Sequence, residues 1–138
     1  MYLLLGWAGI LPFVILSAGS VFGWLPPTLA TQWFSLYSLV ILSFMAGTQW
    51  GWAVKHQHAP TPHLLSVTPV VLAFLLAAIG DLVIISTPVE LAILSGLFVW
   101  LWIYDRLLFR EHSHYLKLRL HLTTVVVACH IMMIWQAQ

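Results

Sequence analysis

Charge is what this sequence has least of. Of its 138 residues five are Lys or Arg and four Asp or Glu, 7% in all, for a net charge of +1. A soluble domain carries about 25% charged residues, so this chain has too few to clothe a water-facing surface. The same shortage excludes an electrostatic nucleic-acid binder, which needs a basic face against the phosphates. Cysteine is nearly missing too. Cys129 stands alone, so no internal disulfide can form, and the redox compartment stays open. Signatures of catalysis are also missing: no GxSxG, no glycine loop to cradle phosphate, no HExxH pair and no carboxylates at nucleophile spacing. No internal repeat points to an inverted-repeat transporter.

What fills the chain instead is hydrocarbon, 62% apolar residues with eight Trp. Its apolar runs approach the ~20 residues that a helix needs to cross ~30 Å of lipid. No stretch alternates apolar and polar residues as a membrane barrel would require. The expected fold is therefore all-α, a polytopic integral membrane bundle of five transmembrane helices forming one domain over residues 1–138. The spans fall at about 2–24, 29–54, 64–83, 88–109 and 115–135, with Pro12 inside the first. The first run lacks a basic leader and its apolar part is too long for a cleaved signal, so it reads as a retained helix. "STPVE" reads as the start of the fourth helix, with Thr87 as N-cap, Pro88 next and Glu90 closing a capping box.

Direction follows from the cations. Lys55, Arg106, Arg110, Lys117 and Arg119 all fall at one end of such a bundle, while the other end has Asp81 and Glu90. The positive-inside rule then sets the N-terminus inside and the C-terminus outside. Trp24, Trp33 and Trp135 at one boundary, and Trp50, Trp52, Trp100 and Trp102 near the other, make the expected aromatic belts.

Topology accounts for most of the crowded stretch "YDRLLFREHSHYLKLRLH" (104–121), but not for Asp105 and Arg119. Each lies inside an apolar run, where an unpaired charge costs a few kcal/mol. A short loop joins their helices, so the two can meet as an ion pair, with Tyr115 one turn before Arg119 on the same face. The bland alternative is a structural pair with snorkelling side chains. In "ILSFMAGTQWGWAV", Ser43, Gly47 and Gly51 recur every four residues as a small stripe for close helix packing, within the bundle or in a dimer. Gln49 and Trp50 beside it offer an amide and an indole, and an amide in lipid must face protein or water. Ser66, Thr68 and Pro69 open the third span at similar depth. His56, His58, His63, His112 and His114 sit in two loops with His121 just beyond, yet match no closed ligand pattern, so no metal site is assigned. Cys129 and His130 point about 100° apart on a helix and make no catalytic pair.

Three stretches, "ILSFMAGTQWG" (41–51), "YDRLL" (104–108) and "YLKLRLHLTTVVV" (115–127), resemble domain-of-unknown-function family 3429, the transmembrane protein 69-like proteins. "LGWAGILPFV" (5–14) resembles the family's first helix, so the similarity covers most of the chain. The shared pattern falls on Ser43, Gly47, Trp50, Gly51, Asp105, Tyr115 and Arg119. Where the family commonly has His before the Trp-Gly pair, this chain has Gln49, which weighs against haem or metal there. The resemblance implies a bacterial inner-membrane or mitochondrial location and supplies no activity. The expected function is non-enzymatic: a binding or accessory protein for an apolar or amphipathic ligand (quinone, porphyrin or lipid) or for a larger membrane complex. Gln49, Trp50, Asp105, Tyr115 and Arg119 are its candidate ligand-binding residues. The alternative is a small proton-coupled carrier titrating at Asp105 and His121. An enzyme with metal on His112 and His114 ranks last. No residue is assigned as catalytic, and the cofactor stays unknown.

Overall fold

A computed structural model describes residues 6–56, 60–83 and 85–138, with the backbone alone described for 60–63 and 81–83. His58, His63 and Asp81 therefore lie outside the described side chains. Five helices run in order: α1 Leu11–Val21, α2 Pro27–Lys55, α3 Pro60–Val83, α4 Thr87–Leu108 and α5 Ser113–Gln136. Among the described residues there is no strand. α2, α4 and α5 are long and apolar enough to cross a membrane, and two shorter apolar helices, Gly6–Val21 and Leu64–Gly80, accompany them. Phe44, Trp24 and Trp135 stand 73%, 75% and 78% exposed, an exterior suited to lipid.

Prolines set the helix starts. Pro12, Pro27 and Pro88 each fall in the first turn of a helix, where a missing N–H goes unmissed. Pro12 lies in the first turn of α1 and, as expected, inside the longer apolar helix Gly6–Val21. The capping box expected at Thr87 does not form. Ser86 takes the extended N-cap conformation, with ψ 142° and no side-chain cap bond. Moving the cap back by one residue puts Val89 at the third helical position, so Glu90 is no longer placed to reach back.

The α1–α2 turn is tight. Gly23 adopts φ 71°, and the amides of Trp24 and Leu25 both donate to the Gly19 carbonyl, at 2.9 and 3.1 Å. A Cβ on Gly19 would meet Leu25 Cδ1 at 3.0 Å, so the Leu25 side chain would have to give way to it. Each helix packs on its neighbour in sequence, α5 returns to α1, and α2 also packs across the ring on α4.

Seams of buried residues hold the ring together. α4 buries Leu91, Leu94, Phe98 and Leu101 at alternating steps of three and four, the spacing of knobs-into-holes packing. Thr123, Val126, His130 and Met133 do the same for α5, and Phe34, Ser38, Leu42 and Met45 form the α2 seam at steps of four, four and three. At the centre, the Phe13 ring meets Phe34 and Phe98 edge-on at 5.2 and 5.9 Å.

A buried ion pair beside an apolar cleft

The three seams end in polar residues at the same end of the bundle. Asp105 follows Leu101 on α4, Gln49 follows Met45 on α2, and Arg119 precedes Thr123 on α5. Each holds a position that the seam otherwise gives to hydrocarbon, so packing the seams carries all three inward. Asp105 is 0% exposed, Gln49 1% and Arg119 9%.

They bond to one another. Arg119 Nε donates to Asp105 Oδ2 at 2.6 Å. Gln49 Nε2 donates to Asp105 Oδ1 at 2.9 Å and to the Leu101 carbonyl at 2.8 Å. Both carboxylate oxygens are thus satisfied by different helices, which offsets a desolvation cost of several kcal/mol per buried ion. Gln49 Oε1 remains buried without a partner. The network ties α2, α4 and α5 at one point.

Arg119 also opens on a second environment. Arg119 lines a cleft of about 110 Å³ between α1, α2 and α5, and among the described residues Nε is its one hydrogen-bonded nitrogen. The cleft walls are apolar, including Ile10, Ile41, Phe44, Met45 and Leu122. Thr123, itself buried, also lines the cleft. An apolar recess with a few convergent polar groups is the usual form of a small-molecule site.

The other candidates fall in different places. Tyr115 lies within electrostatic reach of Asp105 and Arg119, but its ring packs on Phe109 at 4.9 Å and no hydrogen bond joins it to the pair. Trp50 is 49% exposed, turned to the outside of α2 away from Gln49. Ser43, Gly47 and Gly51 face outward, and a Cβ on either glycine would meet nothing within 4 Å. The stripe therefore does not pack within the bundle. His121 is exposed and bonded to the Lys117 carbonyl at 2.6 Å, on the outer side of α5. His56 stacks on Trp52 at 4.1 Å and His112 meets the same ring edge-on at 5.2 Å. No three His, Cys, Asp or Glu among the described residues could hold a metal ion. Pro69 is fully buried within α3, and Thr68 bonds the Leu64 carbonyl at 2.7 Å.

His130 was not singled out by sequence reasoning. It is 0% exposed in a box of three rings, Phe34 at 4.7 Å, Phe98 at 5.5 Å and Phe13 at 5.9 Å. A carbonyl can only accept, so Nδ1 carries the proton bonded to the Val126 oxygen at 2.9 Å, and Nε2 faces the Ser38 hydroxyl at 3.3 Å. The available signal was its spacing: eleven residues from Arg119, three helical turns, on one face of α5.

Such a bundle, with apolar helices fit to cross a membrane and a three-helix ionic tie, defines a small membrane-type helical protein. The chain belongs to the family described as "Protein of unknown function (DUF3429)", whose family model matches residues 1–135. No curated protein and no solved structure matches it.

Proposed function

We propose that this is a non-enzymatic binding protein of the bacterial cytoplasmic membrane. It crosses the membrane five times, with the N-terminus inside and the C-terminus outside, and takes an amphipathic molecule from the lipid. One observation carries the reading: Arg119, held by Asp105 through Nε alone, lines an apolar cleft. The ligand's acceptor group, a carbonyl, carboxylate or phosphate oxygen, meets the guanidinium and Thr123, and its tail lies along Ile41 and Phe44. Phe44 is 73% exposed, so the tail can leave sideways into lipid. Its 110 Å³ is below the roughly 300 Å³ of a full ligand pocket, so the cleft holds a head or chain segment. That favours a quinone or lipid over a porphyrin macrocycle. The cation-rich end then faces the cytoplasm, in keeping with the positive-inside rule.

Native mass spectrometry of protein extracted in mild detergent tests this. A defined amphipathic molecule should accompany the wild type and be lost from Arg119→Met and Thr123→Val. Wild-type protein that arrives empty, or variants that carry the same molecule, would end the reading.

A carrier is the second reading, favoured by the polar groups Arg119, Thr123 and His130 along the buried face of α5. In proteoliposomes it requires flux that stops in Asp105→Asn.

A further inference from the structure

At the end of the bundle opposite the cations lies a second and larger cavity, of about 680 Å³. It sits among the start of α2, the end of α3, the start of α4 and the end of α5. Its lining mixes apolar residues such as Leu36, Leu39 and Leu76 with polar ones, among them Thr31, Gln32, Ser35, Thr87, Glu90 and Gln136. That volume falls in the ~300–1,000 Å³ range of small-molecule sites.

Two of those groups are uncommitted. Hydroxyls in apolar helices normally bond the carbonyl one turn back, and on α2 Thr31, Ser38, Ser43 and Thr48 all do, at 2.8 to 3.0 Å. Ser35 does not. Its Oγ is buried without a partner, two turns into α2 and so roughly 12 Å along it, in a residue that lines this cavity. Glu90 is the second. The cap at Ser86 leaves its carboxylate outside any capping box, and among the described residues it has no hydrogen bond or ion pair. An acid in a cavity needs a cation or water. None of the chain's five Lys and Arg is at this end, since all of them belong to the opposite one.

We propose that this outer cavity is a binding site for an alkylammonium group, with the Glu90 carboxylate as counter-ion and Ser35 and its neighbours as hydrogen-bond acceptors. An ammonium offers three donors and no acceptor, which suits one carboxylate ringed by hydroxyl and amide oxygens. The C-terminal ends of α3 and α5 at the cavity are balanced by the N-termini of α2 and α4, so the helix dipoles favour neither sign and the preference for a cation rests on Glu90. An anionic ligand finds no cation here. The site is separate from the Arg119 cleft and does not depend on what that cleft binds.

The ammonium can belong to a free amine or to the headgroup of an outer-leaflet lipid, and two titrations separate these sources. Protein in nonionic maltoside is titrated with ethylammonium chloride by calorimetry, with sodium acetate as control. In parallel, phosphatidylethanolamine is added and its retention is read by native mass spectrometry. Saturable binding of ethylammonium identifies the free amine, and retention of the lipid alone identifies the headgroup. In either case Glu90→Gln should weaken binding about tenfold or more, the scale of a hydrogen bond to a charged group. Ser35→Ala should weaken it less, and Glu90→Asp should restore part of it. No saturation with either source overturns the assignment, as does equal binding by Glu90→Gln in protein that melts like the wild type.

Discussion

Asp105 sits where α4 would otherwise place another leucine, and that position sets the energetics of the site. Removing one partner of a buried pair strands the other charge, which costs about 3–5 kcal/mol. Asp105→Ala should lose that much in reversible unfolding in detergent. In a double-mutant cycle, Asp105→Ala with Arg119→Met should cost less than the sum of the two, and additive losses would mean that the pair does not couple. Gln49→Leu removes two hydrogen bonds from one amide and should cost about 1–3 kcal/mol. The pair was legible because charge inside an apolar run demands a partner. Gln49 was legible because an amide in lipid must turn inward. Trp50 was not, since an indole near a boundary serves an aromatic belt as well as a site. His130 escaped because its box draws Phe13, Phe34 and Phe98 from three helices, and no local spacing on α5 shows their approach.

Among the elements, α1 and α2 together make the clearest contrast between small residues that pack and small residues that do not. Gly47→Leu should leave unfolding unchanged, because nothing lies within 4 Å of a Cβ there. Gly19→Ala should lower stability measurably, because the new methyl meets Leu25 at 3.0 Å in the turn that Gly23 closes. A large loss for Gly47→Leu in the detergent-solubilised monomer would contradict the outward placement of the stripe. The stripe's period was readable, but its direction was not: a repeat of four fixes one helical face without saying whether that face meets protein or lipid. Helix existence was likewise plain from hydropathy, whereas starts were not. The Ser86 cap moved the start of α4 by one residue, through a single extended conformation.

For the whole molecule, the end-to-end segregation of charge is the feature that matters most. It separates a cationic end holding the Asp105–Arg119 pair from a cation-free end holding the Glu90 cavity. Cysteines placed at exposed Thr28 and His114 in a Cys129→Ala background read the proposed direction. An impermeant maleimide should label Thr28→Cys on intact cells, and His114→Cys only after permeabilisation. The reverse pattern would invert the topology. The ring of helices was beyond the sequence, because nothing local says that α5 returns to α1 or that α2 crosses to α4. The cleft between α1, α2 and α5 exists because of those returns.

The central claim is that the Arg119 cleft holds a particular amphipathic molecule rather than bulk lipid. Photo-crosslinking tests it most directly, with a benzophenone amino acid at Ile41 in the cleft and, as control, at Phe74, which is 65% exposed and outside it. Illumination in native membranes followed by intact mass analysis should give one defined adduct at position 41, absent in Arg119→Met, against a mixture of membrane lipids at position 74. The same lipid mixture at both positions would contradict the account.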